Sequence, residues 1–292
     1  MHSALSEPSS PSPLAKTPSL YVVATPLGNL QDMSLRALAI LKAVDAVACE
    51  DTRHSQRLLD AFGIKTRLVA LHEHNEQEAA GQVIRMLEEG RQVALITDAG
   101  TPAVSDPGAR AVARVQDAGF PVVPVPGASA VVTALSASGL ADGAFHFHGF
   151  LPTRSTARRA TLESLRSVPG TLAFYEAPHR IAETLDDLVA VLEPTRQIVV
   201  ARELTKMFEQ IVRMPLGDAP AWLAADPNRA RGEFVVLISA APPLEGLSPE
   251  TERVLGLLLA ELPVKQAAKL AAAITGASKN ALYERALALR AG

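Results

Sequence analysis

Three loops hold most of the residues that could do chemistry: Thr25-Pro-Leu-Gly-Asn-Leu30, Asp98 to Gly108, and Pro124 to Ala130. Each follows a short apolar run that reads as a strand, and such loops at the carboxyl ends of strands in an α/β sheet make a ligand crevice. In the second loop Gly100, Pro102, Pro107 and Gly108 set an irregular backbone whose amides and carbonyls can face a ligand. Thr101 and Ser105 add hydroxyls there, and Asp98 and Asp106 add carboxylates. Asp106-Pro107 also fits an N-cap followed by a first-turn proline, and capping is the role assigned to Asp106. In the third loop Gly127, Ala128, Ser129 and Ala130 open a helix; small residues there suit either a flat ring or sulfonium chain, or tight helix–sheet packing. Glu50 and Asp51 lie about 22 positions after Gly28, as a ribose-binding acid would, but the first loop lacks the further glycines of a dinucleotide site.

Positive charge collects at the same strand ends. Arg53, His54 and Arg57 follow the second strand, and His179-Arg180 and Arg202 to Lys206 follow later ones. Arg154, Arg158, Arg159 and Arg166 share a segment with one acid, Glu163. Such a cluster suits a phosphate backbone, while solvated faces and ion pairs are the plainer reading of each arginine alone. From residue 264 onward Lys265, Lys269, Lys279, Arg285 and Arg290 stand against Glu284 alone, a pattern fit for contacting phosphates. His72 and His74, and His146 and His148, are spaced at alternate positions with no cysteine nearby; none reads as a metal ligand.

The elements that must position these groups alternate. Strands are expected at Leu20–Ala24, Ala46–Ala48, Leu68–Leu71, Val93–Ile96 and Val122–Val125, with helices between, hence a mainly parallel sheet. From Phe145 a second set follows at Phe145–Gly149, Leu172–Tyr175, Ile198–Ala201, Glu209–Arg213 and Phe234–Ser239. Few helices separate its last members, so antiparallel pairing enters. Ala241 to Gly246 is a linker, and three helices close the chain, the last two joined by a short turn as in helix-turn-helix units. The expected organisation is a disordered tail over 1–19, an α/β lobe over 20–130, a mixed α/β lobe over 131–240 and a helical extension over 248–292.

The chain has 292 residues, 48% apolar and 20% charged, with net charge −3, so bulk charge does not announce a nucleic-acid binder. One cysteine, Cys49, suits a reducing compartment. The first residues lack the apolar core of a secretory signal, and runs such as Val254 to Ala260 are too short to span a bilayer. A cytoplasmic protein without a membrane partner is expected.

Six segments in order carry a resemblance. They are Leu20 to Asp32, Glu50-Asp-Thr-Arg53, Ile96 to Pro102, Val125 to Ala130, Phe174-Tyr-Glu-Ala-Pro-His-Arg180 and Ala201-Arg-Glu-Leu-Thr-Lys206. Together they resemble the tetrapyrrole-methylase superfamily and, within it, the branch of ribosomal RNA 2'-O-methyltransferases; the terminal helices resemble that branch's helix-turn-helix extension. The resemblance implies two α/β lobes with a cofactor cleft between them. It implies S-adenosylmethionine as cofactor, no metal, a cytidine of the 16S decoding region as acceptor, and a homodimer working on the assembled small subunit. By motif position Leu27, Gly100, Thr101, Val104, Ser105, Ser129, Ala130, Tyr175, Ala201 and the strand after Gly232 would contact the cofactor. Thr101 stands where relatives outside the branch carry aspartate, which weakens any transfer of acid–base roles from them. Arg53, His179, Arg180, Arg202, Lys206, Lys265, Lys269 and Lys279 would meet RNA. A ribose hydroxyl needs help to lose its proton, and Glu50, Asp51, Glu176, His179 and Glu203 are the candidates, with Glu176 and Glu203 preferred. A corrinoid-pathway methyltransferase and a non-catalytic nucleic-acid binder are the competing readings; the Glu50–Arg53 motif and terminal helices speak against the first, the small-residue loops against the second.

Overall fold

Strands with apolar residues on both faces become the buried interior of a helix-covered parallel sheet, and the first lobe follows that rule. The computed structural model describes residues 14–72, 76–140, 143–242, 247 and 249–291. The first lobe runs β1 (Leu20–Val23), α1 (Leu35–Ala43), β2 (Ala46–Cys49), α2 (Thr52–Ala61), β3 (Arg67–Ala70), α3 (Glu76–Glu88), β4 (Val93–Leu95), α4 (Ala109–Asp117) and β5 (Val122–Val125). The second runs α5 (Ala130–Ser138), β6 (Phe145–Phe150), α6 (Ser155–Leu165), β7 (Thr171–Glu176), α7 (Ile181–Val191), β8 (Gln197–Arg202), β9 (Gln210–Pro215), α8 (Ala219–Ala224) and β10 (Phe234–Ile238). Three helices follow: α9 (Pro249–Glu261), α10 (Val264–Thr275) and α11 (Lys279–Ala291). The expected two-lobed α/β architecture with a helical extension is what the chain adopts.

The first sheet has the order β3-β2-β4-β1-β5 and is parallel throughout. Apolar side chains on its two faces pack against α3 and α4 on one side and α1 and α2 on the other. The second sheet has the order β6-β7-β10-β8-β9; β6 and β7 are parallel and the other pairs antiparallel. Because β4, β1 and β5 are neighbours, the three chemistry-bearing loops leave one edge of the first sheet side by side. The helix after the third loop, α5, packs on the second sheet through Val131, Ala134 and Leu135, joined by Leu27 of the first loop.

The chain divides into two compact units after residue 240. In the second unit Leu255, Ala267, Ala268, Ala271, Leu282 and Ala286 form the core that three amphipathic helices need to hold together. Of the expected 1–19 tail, residues 1–13 lie outside the described residues. Residues 14–19 run along the first lobe, where Gln92 Nε2 donates to the carbonyls of Ala15 and Thr17, and the Ala15 amide donates to the Tyr21 hydroxyl. Among the described residues no helix is long and apolar enough to cross a membrane.

Candidate active site

The loops are tied to one another by backbone and hydroxyl groups. Thr25 and Gly100 exchange amide–carbonyl bonds at 2.8 and 3.0 Å, fastening the first loop to the second. Thr101 Oγ1 donates to the Ala128 carbonyl at 2.9 Å, fastening the second to the third. Gly100 has φ +86°, and an added Cβ would meet Leu27 at 3.4 Å. Gly100→Val forces a β-branched side chain into the left-handed region, where even a plain Cβ costs about 1–2 kcal/mol. Calorimetry should show at least tenfold weaker ligand binding to this variant, with an unchanged far-UV spectrum; undiminished affinity would refute the cradle.

Above the tied loops lies a cavity of about 440 Å³. Leu27, Gly100, Thr101, Val104, Ser105, Ser129, Ala130 and Tyr175 line it. Ala201 does not: it is fully buried in β8 and packed in the cluster with Val131 and Leu135, while its neighbour across the ladder, Val235, forms the wall. Phe234 joins Val235, so the strand after Gly232 does reach the cavity. Phe150, half exposed, stands edge-on to Tyr175 with ring centroids 5.8 Å apart. Sequence reasoning missed Phe150, because an aromatic at a strand end is not by itself a ligand signal.

Among the described residues the wall carries no lysine or arginine, but Glu50, Asp98, Asp106, Glu176 and Glu233 belong to it. Asp98 Oδ1 is buried without a hydrogen-bond partner among the described residues. A buried acceptor of this kind is open to a donor from a ligand or from water. Asp106 is not the cap of α4. Glu76 Oε1, from α3, accepts the amides of Gly108, Arg110 and Ala111 at 3.0, 3.0 and 3.3 Å. Burial, reinforced by the negative charges of Glu50, Asp98 and Glu233, pushes the Asp106 carboxyl up to about 6. The arrangement suits a cationic ligand with an apolar body and hydrogen-bond donors, and it is unsuited to a phosphate-bearing cofactor.

Residues 19–220 match the family model for tetrapyrrole (corrin/porphyrin) methylases, and residues 245–290 match that for the RsmI C-terminal HTH domain. The ribosomal RNA small subunit methyltransferase I of Pseudomonas aeruginosa is 53% identical over 92% of this chain and 96% of its own. Its namesake from Escherichia coli O157:H7 is 50% identical, over 92% and 94%. The chain belongs to the ribosomal RNA small subunit methyltransferase I family. The fold of this methyltransferase family is also seen in a uroporphyrin-III C-methyltransferase from Thermus thermophilus, solved in complex with S-adenyl homocysteine. It is 20% identical, with a TM-score of 0.55 over 76% of this chain and 97% of that one.

For this member of the methyltransferase I family the preferred proton acceptors sit in engaged positions. Glu176 is buried; its Oε1 accepts the Ala177 amide at 2.9 Å and pairs with Arg180 Nε at 3.3 Å, and its Oε2 accepts from the Thr184 hydroxyl at 2.7 Å. Glu203 Oε1 accepts from Lys206 Nζ at 2.9 Å and from the Glu233 amide at 3.0 Å. Burial works to raise the Glu203 carboxyl, but these bonds and the charges of Lys206 and Arg202 hold it below its ordinary value. Asp51 caps α2 by accepting the amides of Arg53 and His54, and it does not line the cavity.

The rim cations divide. Arg53 is 90% exposed, beside Asp51 at 3.8 Å, and His179 is also exposed. Arg180 turns inward, donating to the carbonyls of Leu151 and Pro152 as well as pairing with Glu176. Arg202 donates to the Arg231 carbonyl. Lys206 bridges Glu203 and Glu233, both at 2.9 Å, and crosses Gly28 so closely that a Cβ there would collide with its Cγ. Arg158 has no exposed surface at all; it pairs with Asp187 in the core and does not face RNA. Arg159 and Arg166 pair with Asp187 and Glu193. In the helical unit Lys265, Lys269 and Lys279 are exposed and form no ion pair among the described residues, whereas Arg285 pairs with Glu252. Among the described residues no cluster could hold a metal ion. His74 lies outside them.

Proposed function

We propose that this chain transfers a methyl group from S-adenosylmethionine to the ribose 2'-hydroxyl of a cytidine in the decoding region of 16S rRNA. The carboxylate-lined cavity, with no basic side chain among the described residues of its wall, carries the reading, because it complements a sulfonium cation better than any phosphorylated cofactor. Relatives about half identical over nearly the whole chain, named for ribosomal RNA methylation, support the acceptor class.

Leu27, Gly100, Thr101, Val104, Ser105, Ser129, Ala130 and Tyr175 would hold the donor, with Asp98 Oδ1 taking a hydrogen bond from it. When bound, the donor supplies an activated methyl carbon for in-line displacement. The protein's part is to align that carbon with the acceptor oxygen. Phe150 offers a half-exposed ring at the cavity on which an unstacked nucleobase can lie. Glu176 and Glu203 serve as positioning residues: the first fixes Arg180, the second fixes Lys206 over the first loop. Arg53 and His179 remain turned outward to meet phosphates, as do Lys265, Lys269 and Lys279 on the helical unit. The reading includes the assembled small subunit as substrate and a homodimeric, cytoplasmic enzyme, as the family resemblance implies; sedimentation of purified protein tests the dimer.

Mass analysis of 16S nucleosides from cells lacking the protein tests the reaction. Loss of one 2'-O-methylcytidine is expected, and an intact modification pattern would exclude it. Changing Lys265, Lys269 and Lys279 together to alanine should weaken RNA binding and lower the slope of log affinity against log salt by about 2. An unchanged slope would remove the helical unit from the interface.

A further inference from the structure

We infer that Tyr283, on the outer side of α11, is a stacking platform for an unpaired base of the ribosomal RNA. This rests on the function proposed above and adds a contact to a base where the lysines of the helical unit serve phosphates. The unit is built so that one side of α11 stays free. Gly276, at φ +73°, ends α10. The Thr275 hydroxyl donates to the Ala271 carbonyl at 2.7 Å and accepts the Ala277 amide at 3.3 Å, which fixes the turn into α11. Leu282 and Ala286 are fully buried, and α10 sets Ala267, Ala268 and Ala271 in the same core. With about 3.6 residues per turn, Lys279, Tyr283 and Leu287 recur along a neighbouring stripe. Tyr283 is 42% and Leu287 47% exposed, and Lys279 and Asn280 are exposed beside them.

A single exposed tyrosine needs no explanation; the charge pattern around this one does. Glu284, the acid of α11, is turned to another side. There it lines a shallow groove with Glu252, Ala281, Arg285 and Ala288, and Glu252 neutralises Arg285. Arg290 is also turned away, donating to the Leu262 carbonyl at 3.3 Å. The stripe therefore holds a cation without an ion pair among the described residues, an aromatic face, an apolar ledge and no acid. Its charge complements a polyanion, and Lys265 and Lys269 of α10, also exposed, extend that charge. Phosphates alone would require only the lysines. A ring beside them suits a base, because unstacked bases of RNA lie on aromatic side chains whose π-face accepts any of them. The Tyr283 hydroxyl makes no hydrogen bond among the described residues, so the ring is not fixed through it.

The experiment measures binding of the full chain to assembled small subunits over a range of salt, for wild type, Tyr283→Phe, Tyr283→Leu and Tyr283→Ala. Stacking predicts that the leucine and alanine variants bind about 5–150-fold more weakly, with the slope of log affinity against log salt unchanged, and that the phenylalanine variant stays within about threefold of wild type. Leucine keeps the bulk of the side chain and its packing but has no π-face, so it separates stacking from stability. Single-stranded oligoadenylate should compete better than an RNA duplex of equal length, and less so against the leucine variant. A leucine variant that binds like wild type, a phenylalanine variant as weak as alanine, a changed salt slope, or a DNA duplex that competes as well as oligoadenylate would each overturn the assignment. Methylation of subunits by wild type is read first: its absence defeats the proposed function, whereas methylation with full binding by the Tyr283 variants defeats this inference alone.

Discussion

Arg158→Ala is expected to destabilise the protein by about 3 kcal/mol, lowering Tm by roughly 6–12 °C. Arg158 is wholly buried; its Nε meets Asp187 Oδ2 at 2.6 Å and its Nη1 donates to the Thr153 carbonyl at 3.2 Å. Asp187 is itself 3% exposed and also receives Arg159 and Ser155. Removing the guanidinium leaves a carboxylate in the core, and a buried charge deprived of its partner is what makes such truncations severe. The loss stays near the lower end of the usual range because Arg159 and Ser155 remain. Burial works to raise the Asp187 carboxyl, but its hydrogen bonds from Arg159, Arg158 and Ser155 hold it below its ordinary value. Its contribution is therefore present above the pKa of the unfolded chain and is lost as pH falls through the folded one. Replacing both partners, as Arg158→Met with Asp187→Leu, should recover most of the stability. Urea unfolding checks both; a single variant within 1 kcal/mol of wild type would contradict the argument.

Glu76→Ala should cost about 2–4 kcal/mol and also weaken binding in a cavity that Glu76 does not line. One oxygen of Glu76 accepts three amides at the start of α4, and the Gly108 and Ala111 amides are buried. Without it those donors are stranded, each at a cost of about 1–3 kcal/mol, part of which water entering the gap would recover. Residues 103–108, with φ +67° at Ala103 and +61° at Ser105, run directly into this helix end, so their strained conformation loses its anchor. Glu76→Gln keeps a carbonyl acceptor and should lose only about 1 kcal/mol. Thermal unfolding and calorimetry with S-adenosylhomocysteine check the pair. Full affinity in the alanine variant would show that the helix cap and the cavity are independent.

These two residues also mark where sequence reasoning stops. The strands, their parallel and antiparallel pairing and the convergence of the three loops were legible, because apolar runs, turn residues and connection lengths are local signals. Eight of the nine cofactor residues expected from motif position line the cavity; Ala201 does not, because it is packed into the cluster with Val131 and Leu135. Asp106 read as a cap because capping is ordinarily supplied by residues close in sequence, whereas the true cap, Glu76, stands 32 positions before the Gly108 amide it accepts. Arg158 read as part of a basic face because its counter-charge lies on another helix, 29 positions away. Both misplacements have one cause: a polar group is judged by its sequence neighbours until the fold supplies a distant partner.

The sign of the charge around the cavity bears on turnover as well as on binding. On the function proposed above, sulfur is neutral once the methyl group has left, and the surrounding carboxylates would have nothing left to attract. Close-range attraction between unit charges amounts to about 4 kcal/mol at the effective dielectric of a partly wet site, so even a fraction of it separates fresh donor from used donor. By this logic a catalyst walled with acids clears its own exhaust.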